Sequence, residues 1–261
     1  MPPRLIVTRP EREAQRWVRA LAQRGLAACA LPLIRIDSAP DAQALIAVRE
    51  RLGFYHAAMF VSANAVFGFF KQNWPLAQAR QALAAINTRA WSTGPGTTAA
   101  LLESGWPQER LDAPPPAARQ FDSEALWSCV HTQVCGGERV LIVRGGDADG
   151  RPAGRDWLAA RLQASGVAVE QVAAYRRVAP TLDEAQRALA AAAAADGSLW
   201  LLSSSEAIAN LRAALPGQDW SRAVALATHP RIAQAARAAG FGVIRDVLPT
   251  LDAVAAFIMQ A

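Results

Sequence analysis

Apolar runs that stop at a hydroxyl, a glycine or an arginine recur six times along this chain, each followed by a helix-like pattern. They are Leu5-Ile6-Val7-Thr8-Arg9-Pro10, Met59-Phe60-Val61-Ser62-Ala63-Asn64, Ala90-Trp91-Ser92-Thr93-Gly94-Pro95, Leu141-Ile142-Val143-Arg144-Gly145-Gly146, Leu201-Leu202-Ser203-Ser204-Ser205 and Leu226-Ala227-Thr228-His229-Pro230. In an open parallel α/β sheet such junctions lie at the carboxyl ends of the strands, where ligands bind. Backbone N–H groups and the helix dipole there favour anions. The chemistry on offer is recognition of carboxylate or phosphate.

Conventional catalytic equipment is sparse. Ser203-Ser204-Ser205 lacks the flanking glycines of a nucleophile elbow, so its hydroxyls read as helix caps and neutral donors. His56 and His131 read as surface or packing residues. His229 precedes Pro230 at a helix start that disfavours the imidazolium; it either caps the helix or donates to an anion. No H-E-x-x-H, C-x-x-C or carboxylate triplet is present, which argues against a metal site. Tyr175, one of two tyrosines, closes the strand pattern Val169–Ala174 just before Arg176-Arg177. It is either a packed aromatic or a phenol held over a cleft, able to give a proton to a leaving group.

Gly94-Pro95-Gly96-Thr97-Thr98-Ala99 satisfies the G-x-G-x-x-[G/A] pattern, with Asp112 roughly twenty positions on. A nucleotide-cofactor enzyme is therefore the rival reading. Against it, Pro95 removes a backbone donor and the motif follows an internal strand. A non-catalytic two-lobed anion sensor is the other alternative.

The elements that must carry these residues form a near-repeat. Arg4–Thr8 with helix Glu11–Arg24, ended by Gly25, parallels Arg139–Arg144 with a helix around Asp156–Ala164, ending near Gly166. A strand within Leu26–Ile36 parallels Val167–Ala174. Ala57–Ser62 parallels Leu199–Ser203, and Arg89–Thr93 parallels Ala223–Thr228, the last two entering helices closed by Gly105 and Gly240. Two similar α/β lobes follow. Asp37–Asp41, Pro114-Pro115-Pro116 and Gly145–Gly154 interrupt them, the last expected as an irregular loop and candidate lid.

At 261 residues, 52% hydrophobic and 19% charged, the chain has the composition of a soluble globular protein. No apolar stretch is long enough to span a membrane; the Ala-rich run Ala188–Ala195 reads as a helix stopped at Asp196-Gly197. Met1-Pro2-Pro3-Arg4 runs directly into a strand pattern, leaving no room for a signal peptide. Cys29, Cys129 and Cys135 are too scattered for a disulfide framework, so a cytoplasmic protein is expected. The net charge of +5 is dispersed and nowhere interleaved with aromatic residues, which argues against nucleic acid. Lys71 is the one lysine; arginine supplies the remaining cations, in a form suited to bidentate anion binding.

Taken in order along the whole length, these segments resemble the uroporphyrinogen-III synthase family. The likeness rests on Val7-Thr8-Arg9-Pro10, Phe60-Val61-Ser62-Ala63-Asn64-Ala65-Val66, Gly94-x-Gly96-Thr97 and Phe121-Asp122-Ser123-Glu124-Ala125-Leu126. It continues through Val140-Leu141-Ile142-Val143-Arg144-Gly145, Gly154-Arg155-Asp156-Trp157-Leu158, Tyr175-Arg176-Arg177, Ser203-Ser204-Ser205 and His229-Pro230-Arg231-Ile232-Ala233. The resemblance implies an α/β fold of two flavodoxin-like parallel-sheet domains joined by a two-stranded antiparallel linker. Residues 1–35 and 178–261 would form the first domain, 38–171 the second, and 34–38 and 171–178 the linker strands. All six junctions would face a cleft between the domains.

The family's reaction cyclises the linear tetrapyrrole hydroxymethylbilane, a polycarboxylate, with loss of water and inversion of the terminal pyrrole ring. It uses no cofactor, because pyrrole nitrogen supplies the electron push. The match places Tyr175 at the proposed acid-assist position and Ser62, Thr97, Arg155, Ser203 and Ser205 at substrate-contacting positions. Thr8, Arg9, Arg144 and His229 fall in neighbouring loops. The segment Pro230-Arg231-Ile232 departs from relatives that carry threonines there, and Arg231 would offer a direct carboxylate contact in place of a hydroxyl. The longer loop Asp147–Ala153 leaves open whether Arg151 or Arg155 reaches the cleft. A monomer is expected.

Overall fold

The computed structural model describes residues 3–71, 74–118, 120–147 and 149–260. Met1 and Pro2 of the expected start, Ala148 of the expected 145–154 loop and the side chain of Lys71 lie outside the described part. The chain divides into two units, residues 1–35 with 178–261 and residues 36–177.

It begins in the first unit with β1 (Leu5–Val7), α1 (Glu11–Ala22) and β2 (Ala28–Ala30). α1 is amphipathic: Ala14, Trp17 and Leu21 are buried, Glu11 and Glu13 complement the N-terminal dipole, and Gly25 turns the chain at φ +74°. Next come β3 (Arg35–Asp37), α2 (Ala42–Glu50), β4 (Ala57–Phe60), α3 (Ala63–Lys71), α4 (Leu76–Ala84), β5 (Arg89–Ser92) and α5 (Pro95–Glu103). The second unit continues with β6 (Leu111–Asp112), α6 (Ser123–Val130), β7 (Arg139–Gly146), α7 (Trp157–Ala164) and β8 (Ala168–Val178). The chain returns to the first unit through α8 (Glu184–Ala193), β9 (Leu199–Leu202), α9 (Ser205–Ala214), β10 (Val224–Ala227), α10 (Pro230–Ala238), β11 (Val243–Asp246) and α11 (Leu251–Gln260).

The first sheet has the order β2-β1-β9-β10-β11, with every pairing parallel. Such strands are covered on both faces, which is why β1 and β9 are apolar and buried at every position. The second sheet runs β3-β8-β7-β4-β5-β6; from β8 to β6 its pairings are parallel, and β3 makes it mixed. The segments expected as linker strands fall on β3 and β8, neighbours at one edge of this sheet. The paralleled segments named above hold equivalent places: β1 and β7, β2 and β8, β9 and β4, β10 and β5. Each sheet therefore reverses its strand order at one point, between β1 and β9 in the first and between β7 and β4 in the second.

The segment 145–154 departs from the irregular loop expected of it. Gly145 and Gly146 do not open an irregular loop; they extend β7, opposite Tyr175 and Arg176 of β8. The chain then folds back, with Ala153 N donating to Gly145 O at 2.9 Å and a bridge between Gly146 and Pro152. Glycine weakens a strand but permits close approach by a neighbour, and that approach decides the matter.

α3 is seated on the second sheet by an aromatic cluster. Phe60 meets Phe69 edge-on at 5.4 Å between ring centroids and Trp106 at 5.7 Å, while Phe70 stacks on Trp74 at 5.5 Å. Such pairs contribute about 0.5–1.5 kcal/mol each beyond their buried area. The helix backbone comes so near β8 that a Cβ on Gly68 would lie 2.2 Å from Ala174 O. Gly68→Ala is therefore expected to destabilise the protein by about 3 kcal/mol through overpacking against backbone that cannot retreat. Urea unfolding of the full chain measures it, and a loss below about 1 kcal/mol would mean α3 is free to shift.

Candidate active site

In the second unit the site is built from the ends of β8, β7, β4 and β5. Ser62 follows β4 and caps α3, its Oγ accepting from Ala65 N at 3.2 Å. The same Oγ lies 3.2 Å from the Tyr175 hydroxyl. Tyr175 is 5% exposed. It reaches Ser62 because of a bulge: Arg144 pairs with Ala173, but Gly145 pairs with Tyr175, so Ala174 is the extra residue on β8. The phenol end then lies against Gly145, where an added Cβ would stand 2.7 Å from Cζ and 2.9 Å from the hydroxyl oxygen.

Arg144, adjacent in sequence, points elsewhere. It continues the face of Val140 and Ile142, which packs on α6 and α7, whereas Tyr175 belongs to the core of Leu141, Val143 and α3. Its guanidinium, 4% exposed, donates to Asp156 Oδ1 and Gln171 Oε1 at 2.7 Å each and to Arg155 O at 2.9 Å. Gly154, at φ +131°, leaves room for it. Arg144 thus ties the chain after β7 to the sheet. Arg155 makes a two-pronged pair with Glu124 of α6 on the surface, and Arg151 is exposed. Thr97 is buried in the first turn of α5. Thr93, not singled out from sequence, donates to Val61 O at 3.4 Å and joins the ends of β5 and β4.

The first unit gathers its own rim. Thr8 is buried and donates to Leu201 O at 2.6 Å, fastening the end of β1 to β9. Arg9 pairs with Glu13 at 3.2 Å and lies 4.6 Å over the Trp17 ring. Ser204 caps α9, accepting from Ala207 N at 3.4 Å; Ser203 before it is half-buried and Ser205 after it is exposed. His229 caps α10, its Nδ1 accepting from Arg231 N at 3.1 Å. That bond leaves Nε2 as the ring nitrogen that carries the proton. Arg231 is exposed in the first turn of α10. Thr8, Arg9 and Ser203–Ser205 stand at the switch point of the first sheet, and Ser62 and Gly145 at that of the second.

The glycine-rich motif after β5 does not suit a dinucleotide. Asp112 is engaged by Arg89 at 2.6 and 2.8 Å and by Gln133 at 3.2 Å, and Phe121 covers Gly94. The motif also stands away from the switch point between β7 and β4. Among the described residues no group of three or more potential metal ligands is gathered, and no helix is long and apolar enough to cross a membrane.

A family model described as "Uroporphyrinogen-III synthase HemD" matches residues 15–255. The chain belongs to the uroporphyrinogen-III synthase family. Among solved structures, it is similar to the uroporphyrinogen-III synthetase of Helicobacter pylori 26695, with a TM-score of 0.60 and 14% identity over 99% of each chain. It is also similar to a mutant uroporphyrinogen III synthase from the extremely thermophilic bacterium Thermus thermophilus, with a TM-score of 0.55 and 16% identity over 99% of each chain. At these identities the likeness is one of fold. Family membership sets aside the nucleotide-enzyme and sensor alternatives.

Two measurements test the local geometry. Arg144→Met should cost about 2 kcal/mol in urea unfolding, as charged hydrogen bonds are lost from a buried group. It should also speed tryptic cleavage after Arg155; unchanged stability and cleavage would show that the guanidinium holds nothing. Tyr55, the other tyrosine, donates to Glu170 at 2.5 Å, and burial followed by this bond pushes its phenol well above the ordinary value of 10. The unfolded chain ionises first, so this contribution is complete below pH 10 and is lost as pH rises above it. Tyr55→Phe should therefore flatten the alkaline fall in stability, and an unaltered fall would place its cause elsewhere.

Proposed function

We propose that the chain cyclises hydroxymethylbilane to uroporphyrinogen III, with inversion of the terminal pyrrole ring and loss of water, and that Tyr175 assists departure of the hydroxyl. The observation carrying this is the Ser62–Tyr175 pair at the second sheet's switch point, in a chain whose family makes uroporphyrinogen III. The phenol gives its proton to the hydroxymethyl oxygen as the C–O bond breaks, and water leaves. A pyrrole nitrogen supplies the electrons, so an N-protonated azafulvene cation forms without a protein nucleophile, and the phenolate recovers a proton when the ring carbon that closes the macrocycle gives one up. Attack by the substituted carbon of the terminal ring gives a spiro intermediate, whose fragmentation and reclosure yield the asymmetric macrocycle. Because the Ser62 oxygen already accepts from Ala65 N, its own proton is suited to stabilise the phenolate left behind.

On this reading Ser62, Thr97, Arg144, Arg155, Thr8, Arg9, Ser203, Ser205, His229 and Arg231 serve the substrate's carboxylates or the loops that hold them. The amide-rich starts of α3, α5, α9 and α10 supply anion recognition at no cost in net charge. Residues 1–35 with 178–261 and 38–171 form two flavodoxin-like domains linked by 34–38 and 171–178. The strand order shared by the two sheets supports this.

Freshly prepared hydroxymethylbilane tests the reaction. Isomer III above the spontaneous symmetric product is expected, and the symmetric isomer alone would refute the proposal. Tyr175→Phe should lower kcat about a hundredfold, as general-acid assistance is lost. KM should stay within about threefold, because the proton is transferred only in the transition state. Full turnover in that variant would remove Tyr175 from the mechanism.

A further inference from the structure

A tyrosine on a regular strand beside β7 would follow the alternation of its neighbours, and Tyr175 would then stand opposite Gly146. The bulge at Ala174 sets it opposite Gly145 instead, on the face that carries α3. Both Ala174 and Tyr175 consequently belong to the same core as Val143 and Phe69. The bulge is clamped from the far side, since Ala174 O lies against Gly68 of α3 at a distance no side chain there would allow. The near side is Gly145, and its missing side chain is where the phenol end lies.

We propose that Gly145 is a positioning residue for the reaction: the absence of a Cβ there sets the place of the Tyr175 hydroxyl beside Ser62. Any L side chain at 145 would put a carbon 2.7 Å from Cζ and 2.9 Å from both Cε2 and the hydroxyl oxygen. The ring must then retreat by about 0.7 Å or more to reach an ordinary contact distance. It cannot withdraw along its strand, because Ala174 is pinned on Gly68. The retreat therefore falls on the hydroxyl end and lengthens the 3.2 Å contact to Ser62. Gly145 itself is extended strand without a left-handed φ, so steric access and not backbone freedom makes glycine necessary. The inference rests on the reading of Tyr175 as the acid, and it adds the residue that sets the acid's position.

The test combines kinetics with a spectroscopic readout. Gly145→Ala should lower kcat for isomer III about tenfold or more while KM stays within about twofold, because a displaced acid loses transition-state stabilisation. In a Tyr175→Phe background the same change should cost less than about twofold, since the hydroxyl it displaces is gone. In a Tyr55→Phe background Tyr175 is the one remaining phenol, and Gly145→Ala should shift its ultraviolet titration. Equal losses in the presence and absence of the hydroxyl would overturn the proposal, as would an unmoved titration. If Tyr175→Phe proves fully active, the acid reading fails, and the titration alone decides whether Gly145 sets the phenol. Should Gly145→Ala not fold, the unaltered protein serves. Magnetisation transfer between Gly145 Hα and Tyr175 Hε is then expected, and its absence overturns the proposal.

Discussion

The contact of a phenol with a glycine backbone, Tyr175 on Gly145, is the constraint from which the rest of the second unit's site follows. It requires one extra residue in β8, a glycine in β7 and a helix close enough to hold the resulting bulge. That helix, α3, also begins at Ser62, so the element that clamps the strand from one side presents the hydroxyl's partner on the other. The aromatic cluster of Phe60, Phe69, Phe70, Trp74 and Trp106 keeps the helix at that distance. Core packing and site geometry are here the same interaction.

The two sheets solve one problem twice. Each has its strand reversal where helices diverge, and each puts hydroxyls and helix-start amides there, joined in the first sheet by Arg9. Thr8 on Leu201 O and Thr93 on Val61 O use side-chain hydroxyls to hold neighbouring strand ends together. His229 is fixed as a helix cap by Arg231 N. On the proposed mechanism the pyrrole nitrogen drives the reaction, so it asks for placement of a flexible polyanion more than for a nucleophile or a metal, and such rims are proposed to supply it.

Much of this was legible in the sequence because parallel strands buried on both faces are uninterrupted apolar runs. The hydroxyl or glycine ending each run marks the carboxyl edge, and all six junctions join a strand to the helix or loop that follows it. The internal repeat was visible for the same reason, and its paired segments take matching places in the two sheets. Gly145-Gly146 misled because glycine pairs are turn signals by composition; only the strand opposite shows that they are needed for close approach. A glycine continuing the Leu141–Val143 face was the available clue. The part Arg144 plays in holding the chain after β7 was not legible, because its partners, Asp156, Gln171 and the Arg155 carbonyl, lie well along the chain or on the backbone, where sequence spacing carries no signal. That Tyr175 lies against Gly145 was not legible either, since alternation alone places the side chain beside Gly146.

The most direct test of a proton given by this phenol is its acidity. Fluorinated tyrosines placed at position 175 in the Tyr55→Phe protein vary the phenol's acidity stepwise with little change in size. With the pH held below every phenol's titration, the rate of isomer III formation should climb steadily as the phenol becomes more acidic. A rate indifferent to that series would contradict the account.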